Sequence, residues 1–298
     1  MKSDQLLLKR DGLSLHANLY GHPAHPLVVL LHGFPDTPHC WDKLYPILVD
    51  AGYQVLIPWL RGYTLDSVSS NAHYGLASAT VDLKAWLEML GAQKFHLVGH
   101  DWGAAIAMSY ANQYSASLYS MSLLAVPPIP AMKNILINLK YFPKQLYLSS
   151  YMLLMQSHFA KTLLSQNQAE FVAKIWKKWS PTWQFTQADF AATREAFSHP
   201  QIAWAATRYY RSLFAVDHPI NLKANRDLLR PIQLPTLALA GLDDGCMSIQ
   251  LHRALAQSRH FPKGLNRLYL PNCGHFLQAE QPQRVAELLL EHFQQTIV

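Results

Sequence analysis

The 298-residue sequence predicts an α/β protein, a mostly parallel sheet flanked by helices, with one all-helical segment inserted between two strands. Three observations carry this expectation. Strand and helix patterns alternate over about the first 130 residues, as the crossovers of a parallel sheet require. Strand candidates such as Leu27–Leu31 are continuous apolar runs, the pattern of strands buried on both faces. Between 128 and about 230 strand patterns vanish, and they resume at 235–240.

Taken in order, residues 5–9 and Leu13–Tyr20 read as two strands joined by a turn at Asp11-Gly12. After Leu27–Leu31, helical spacing over 41–51 stops at Gly52. Residues 53–59 form the next strand candidate, and 73–90 a long amphipathic helix ending at Gly91. A buried strand at 94–99 precedes a helix of small residues at 103–114, and a strand at 119–126 is stopped by Pro127-Pro128. The insertion is rich in Leu, Tyr, Trp, Gln and Lys. Its stretch 135–155, interrupted by Pro143, reads as pocket lining rather than a membrane-surface helix. Beyond 235–240 follow a helix at 251–256, the strand Leu265–Leu270 and a C-terminal helix at 283–294. The expected organisation is a core of 1–127 and 231–298 with a helical cap of 128–230 inserted where it can lie over the sheet's C-terminal edge.

Half the residues are hydrophobic and 15% are charged, which suits a large core and excludes a disordered chain. No apolar run approaches the roughly 18 residues of a membrane span. Lys2 and Asp4 followed by only a short apolar block at 6–8 do not read as a signal peptide. Cys40, Cys246 and Cys273 are scattered, against both a disulfide framework and a zinc site, and the expectation is a soluble cytoplasmic protein, monomer or homodimer. His22-Pro23-Ala24-His25 lies in a proline-bearing turn without acidic neighbours and is not read as a metal pair. Residues 131–230 carry 13 Lys and Arg against 5 Asp and Glu, more than the whole net charge of +6. Lys174, Lys177 and Lys178 beside Trp176 and Trp179 come nearest to a nucleic-acid stripe but read as a solvated helix face.

The chemistry concentrates at Gly99-His100-Asp101-Trp102-Gly103, between a buried strand and a helix. Two glycines permit a strained turn that lifts the central side chain above the sheet, the form of a nucleophile elbow with Asp as nucleophile. An elbow predicts an acid after a later strand and a histidine near the C-terminus. Residues 235–241 lead into Asp243-Asp244, both in one turn, and Leu265–Leu270 leads into Asn272-Cys273-Gly274-His275-Phe276. Oxyanion donors should come from the loop His32-Gly33-Phe34-Pro35-Asp36 and from the residue after the nucleophile, giving the N–H groups of Phe34 and Trp102. His32 and His100 read as buried structural histidines.

The His32–Asp36 loop, the elbow and the Asp244…His275 tail resemble the α/β-hydrolase fold over essentially the whole chain. An Asp elbow followed by Trp narrows the resemblance to epoxide hydrolases and haloalkane dehalogenases, and the Arg61-Gly62-Tyr63 turn fits that group. Such enzymes carry a helical cap where 128–230 stands here. The resemblance implies two cap tyrosines that protonate an opening epoxide. Tyr151, five residues before Gln156, and Tyr210, which precedes Arg211, match them, with Tyr147 and Tyr209 as register alternatives. Family spacing of Gly-x-x-Asp selects Asp244 over Asp243, although Gly245-Cys246-Met247 departs from the usual continuation. No cofactor and no metal are implied, and the expected partners are a small hydrophobic substrate and water.

A carboxylate nucleophile also restricts the reaction. Asp, with a pKa of about 4, is ionised at neutral pH and can displace a leaving group from saturated carbon to form an ester. Attack on an ester or amide would give a mixed anhydride, so ordinary esterase and peptidase activities are disfavoured. Gly33-Phe34-Pro35 matches the epoxide-hydrolase form, where dehalogenases usually carry Asn. Trp176, Trp179, Trp183 and Trp204 keep a second halide donor, and hence a dehalogenase, as the alternative. A hydrophobic-ligand-binding protein on the same framework is the reading from a different class.

Overall fold

The computed structural model describes residues 3–128, 142–215 and 219–296. Its strands are β1 (Asp4–Arg10), β2 (Leu13–Tyr20), β3 (Leu27–Leu31), β4 (Gln54–Pro58), β5 (Phe95–His100), β6 (Leu118–Leu124), β7 (Thr236–Gly241) and β8 (Leu265–Leu270). They form one sheet in the order β1-β2-β4-β3-β5-β6-β7-β8. Strand β2 runs antiparallel to both neighbours, and the remaining pairings from β4 to β8 are parallel.

Helices α1 (Tyr45–Asp50), α2 (Leu76–Leu90) and α3 (Trp102–Tyr114) connect the first parallel strands. Between β6 and β7 the described residues hold only helices: α4 (Phe142–Leu148), α5 (Tyr151–Gln156), α6 (Ala160–Trp179), α7 (Gln187–Phe197), α8 (Pro200–Phe214) and α9 (Pro219–Asp227). The chain closes with α10 (Ile249–Leu255), α11 (Leu277–Glu280) and α12 (Pro282–Gln294). Of the stretch 135–155, the part through 141 lies outside the described residues.

The continuous apolar strands are explained by two cores. Along β3, Leu27, Val29 and Leu31 pack with α2 and α3, while Val28 and Leu30 pack with α1 and α12 on the opposite face. Alternation with a period of two thus serves two apolar layers, and no position of β3 is left for solvent. One expected helix is shorter than its spacing suggested. Residues 41–51 give a 3-10 turn at Pro38–Trp41 and then α1 from Tyr45, because Pro46 has no N–H to continue a helix from Asp42.

Strands β4 and β5 lie on opposite sides of β3, so the crevice at the C-terminal ends of β3 and β5 is the topological switch point where α/β sheets place their sites. The segment between β6 and β7 is anchored beside it. Tyr209 donates its hydroxyl to the Arg61 carbonyl at 3.0 Å, and Trp176 donates Nε1–H to the Pro35 carbonyl at 2.7 Å. Gly62, at φ 85°, lies against α8 so closely that a Cβ would stand 2.6 Å from that of Ala205.

Arg61 holds this turn from beneath. Its guanidinium is buried and grips Asp82 of α2 through Nε at 2.6 Å and Nη2 at 2.5 Å, with Nη1 on the His73 carbonyl at 2.7 Å. Burial alone would lower the Arg61 pKa, but the Asp82 carboxylate reverses that and raises it. Removing one partner leaves a buried charge uncompensated. Arg61→Ala is therefore expected to cost about 3–5 kcal/mol in urea unfolding at neutral pH. A loss below about 1 kcal/mol, the range of an exposed pair, would show that the pair is not the anchor of this turn.

Candidate active site

Asp101 follows β5 directly and adopts φ 51°, ψ −117°, outside the regions open to most residues. The surrounding structure forces it there. A Cβ on Gly99 would stand 2.2 Å from the Gly103 carbonyl oxygen, and one on Gly103 would stand 2.2 Å from that of Leu31. Only glycines let α3 start this close to β3 and β5, and the carboxylate is thereby lifted over the sheet edge. Gly33 is equally tight, since its Cβ would lie 2.5 Å from Asp101 Oδ1. That approach lets the Phe34 N–H donate to Asp101 Oδ1 at 2.7 Å. Trp102 supplies the next N–H of the chain at the start of α3.

The loops after β7 and β8 bring the other two members together. Asp244 Oδ2 accepts from His275 Nδ1 at 2.9 Å, and Asp244 Oδ1 accepts the N–H groups of Cys246 and Met247 at 2.7 and 2.8 Å. Asp243 is exposed and its N–H is spent on the Cys273 carbonyl, so of the two neighbours Asp244 meets the histidine. His275 Nε2 faces Asp101 Oδ2 at 3.7 Å, too long for a hydrogen bond. Burial alone would push the His275 pKa down, but Asp244 and Asp101 outweigh it and raise it from 6.5 to about 10.

Tyr151 and Tyr210 project from α5 and α8 toward each other, hydroxyl to hydroxyl at 3.5 Å, with rings edge to face at 5.6 Å. Burial drives both pKa values upward, and the Asp101 charge adds to the rise. Tyr210 packs edge-on against Phe34 at 5.1 Å and Trp102 at 5.2 Å, and Tyr151 against Trp179 at 5.0 Å. The register alternatives go elsewhere: Tyr209 holds Arg61, and Tyr147 is exposed over the Lys178 ammonium. Cys246, at the unusual position after Asp244, sets its thiol 3.9 Å from the Tyr151 hydroxyl.

Sequence comparison agrees with this topology. Residues 26–282 match the family described as the alpha/beta hydrolase fold. The chain belongs to that family. It is 28% identical over 284 residues to the AB hydrolase superfamily protein YfhM of Bacillus subtilis, covering 95% of each chain. It is 28% identical over 291 residues to human epoxide hydrolase 4, covering 95% of this chain and 76% of that one. Among solved structures, epoxide hydrolase A from Mycobacterium thermoresistibile superposes with a TM-score of 0.74 at 24% identity, covering 98% of both chains.

In this α/β hydrolase two further buried histidines beside the site bind backbone groups. His32 accepts the Leu60 N–H at Nε2, which puts its proton on Nδ1 facing the Gly33 carbonyl, and burial lowers its pKa to about 4. His100 donates Nε2–H to the His275 carbonyl at 2.9 Å, and burial lowers its pKa to about 3. Sequence reasoning passed over one group of contacts, that of Trp179, Ser180 and Glu280 with the His275 loop. Glu280, an acid five residues beyond the histidine, was the one trace of it in the sequence.

A histidine raised above its ordinary value adds stability that is complete below about pH 6.5 and is lost as pH climbs through about 10. Nitrogen-15 NMR of the imidazoles should find His275 cationic at neutral pH, with a midpoint that falls in Asp101→Asn. A neutral His275 at pH 7 would contradict the charge arrangement described.

Proposed function

We propose that the protein hydrolyses lipophilic epoxides to vicinal diols through an ester on Asp101. The observation that carries the reading is the hydroxyl pair of Tyr151 and Tyr210 near a carboxylate that is itself held by a backbone N–H. Relatives named epoxide hydrolases support the same class. The rings of Phe34, Trp102, Tyr210 and Trp179 pack on one another beside the Asp101 turn, and this aromatic setting favours an apolar or aromatic substituent on the epoxide.

In this reading Asp101 Oδ2, the oxygen not bound to the Phe34 N–H, attacks an epoxide carbon. The ring C–O bond breaks with its electron pair on oxygen, which takes a proton from one tyrosine. Neutral phenols suit that task, and burial keeps both pKa values high enough to hold the proton until the alkoxide forms. Esterification cancels the Asp101 charge, one of the two charges that keep His275 protonated. The imidazolium then returns its proton to the tyrosinate and becomes a base.

Neutral His275, oriented by Asp244, next deprotonates a water that attacks the ester carbon. The oxyanion develops on Oδ1, against the Phe34 and Trp102 N–H groups. Collapse releases the diol alkoxide, which takes the proton of the regenerated carboxylic acid. Asp101 is again an anion, His275 a cation and the tyrosine neutral, so the cycle consumes only epoxide and water.

A halide leaving group would need a pair of N–H donors instead. Trp176 gives its Nε1–H to Pro35, Trp183 stacks on Trp176, and Trp204 packs edge-on against Tyr74. These three positions favour core packing over halide binding, and of the four candidates only Trp179 packs against Tyr151 and His275.

Incubation with styrene-oxide-type epoxides should yield diol, and Asp101→Asn should abolish it. His275→Ala should trap the substrate as a mass increase on Asp101. Tyr151→Phe with Tyr210→Phe together should lose about 10²–10⁴-fold in kcat, and either alone less, because one hydroxyl remains. Halide release from haloalkanes without diol formation would move the assignment to a dehalogenase. Tight ligand binding unchanged in Asp101→Asn, with no product, would make the protein a binder.

A further inference from the structure

Three consecutive backbone N–H groups of the His275 loop are taken up by groups outside the triad of Asp101, Asp244 and His275. Gly274 N–H donates to both Glu280 oxygens at 3.0 Å, His275 N–H to the Trp179 carbonyl at 3.1 Å, and Phe276 N–H to Ser180 Oγ at 3.1 Å. The same Trp179 carbonyl accepts the Gly245 N–H at 3.0 Å, beside the triad acid. Glu280 closes the arrangement: Oε1 accepts the Ser180 hydroxyl at 2.6 Å and Oε2 the Thr182 hydroxyl at 2.8 Å. Ser180 is fully buried, and a Cβ on Gly274 would stand 2.4 Å from its Cα.

The donors around Glu280 are two hydroxyls and one amide, a set that suits an acceptor-only carboxylate. On α11 it reaches back to the histidine loop and across to the residues that end α6. The Trp179 ring then packs edge-on to His275 at 5.0 Å, so the end of α6 fixes both the backbone and the ring face of the base.

We infer that Glu280 is a positioning residue, clasping the His275 loop to the end of α6 so that water activation depends on a segment far from the triad in sequence. The inference rests on the reading of His275 as the base of ester hydrolysis. Alkylation by Asp101 needs no base, whereas hydrolysis does, so a misplaced His275 slows only the second step. A displacement of about 1 Å is enough to cost about 10²-fold.

Single-turnover reactions with styrene oxide, followed by intact-protein mass, separate the two steps. Glu280→Ala is expected to keep its alkylation rate within about twofold while ester hydrolysis slows about 10–100-fold, so that ester accumulates and kcat and KM fall together. Glu280→Gln, whose carbonyl oxygen can still accept from Gly274, should recover most of the loss. Equal slowing of both steps, or no ester in Glu280→Ala, would overturn the clasp. His275→Ala run in parallel separates the failures: if it too forms no ester, the base reading falls; if it accumulates ester while Glu280→Ala does not, only the clasp falls. Should Glu280→Ala fail to fold, Ser180→Ala removes one oxygen of the same network. It must show the same selective loss, and wild-type behaviour there overturns the inference.

Discussion

The close approach of α3 to β3 and β5 is the constraint on which the site depends. Gly99 and Gly103 allow contacts that any Cβ would prohibit, and the cost appears as the left-handed φ of Asp101. Once that turn exists, its consequences are geometric. The carboxylate stands over the C-terminal end of β5, within reach of a donor at the end of β3. The loops from β7 and β8 approach from the other side of the same crevice. A sheet with β4 and β5 on opposite flanks of β3 opens that crevice, so topology and local strain select the same place.

The electrostatics follow from putting two carboxylates and one imidazole among aromatic rings. Asp244 is supported by two backbone N–H groups on one oxygen and by His275 on the other, so its charge is fully hydrogen-bonded although buried. Asp101 has one N–H on Oδ1 and faces His275 at 3.7 Å through Oδ2. That oxygen is held by charge rather than by a hydrogen bond. The tyrosines respond to the same field in the opposite sense. A nearby anion makes a phenolate costlier, so burial and Asp101 together keep both hydroxyls protonated.

Much of this was legible in the sequence because it depends on residue types that only one local structure can use. The elbow glycines, the apolar strands and the order of Asp101, Asp244 and His275 all come from short-range requirements. The choice between Asp243 and Asp244 is a matter of which side of one turn faces inward, and family spacing carried that information where composition did not. The shortening of the helix at 41–51 is readable at Pro46, whose missing N–H outweighs the apolar spacing. Apart from Glu280 itself, the network was not readable, because the partners of that carboxylate are hydroxyls and a backbone N–H brought together by the packing of the end of α6 against the β8 loop. Buried hydroxyls and carbonyls carry no sequence pattern; only the fold makes them neighbours.

The positive surplus of residues 131–230 takes on a different meaning in this setting. Two of its lysines meet partners one helical turn away, Lys174 with the exposed Glu170 and the exposed Lys223 with a largely buried Asp227. Such pairs contribute little and are screened by salt. The contacts that join the segment to the sheet are of another kind. Trp176 to the Pro35 carbonyl, Tyr209 to the Arg61 carbonyl, Ser180 to Glu280 and the rings around Phe34 are buried or partly buried hydrogen bonds and apolar packing. The Lys43–Asp189 pair is a more exposed exception. The charge therefore describes the outer face of the helices, and their inner face is specified by aromatic residues and neutral donors. That division is what a segment must have if it is to pack over the sheet edge while remaining hydrated on its other side.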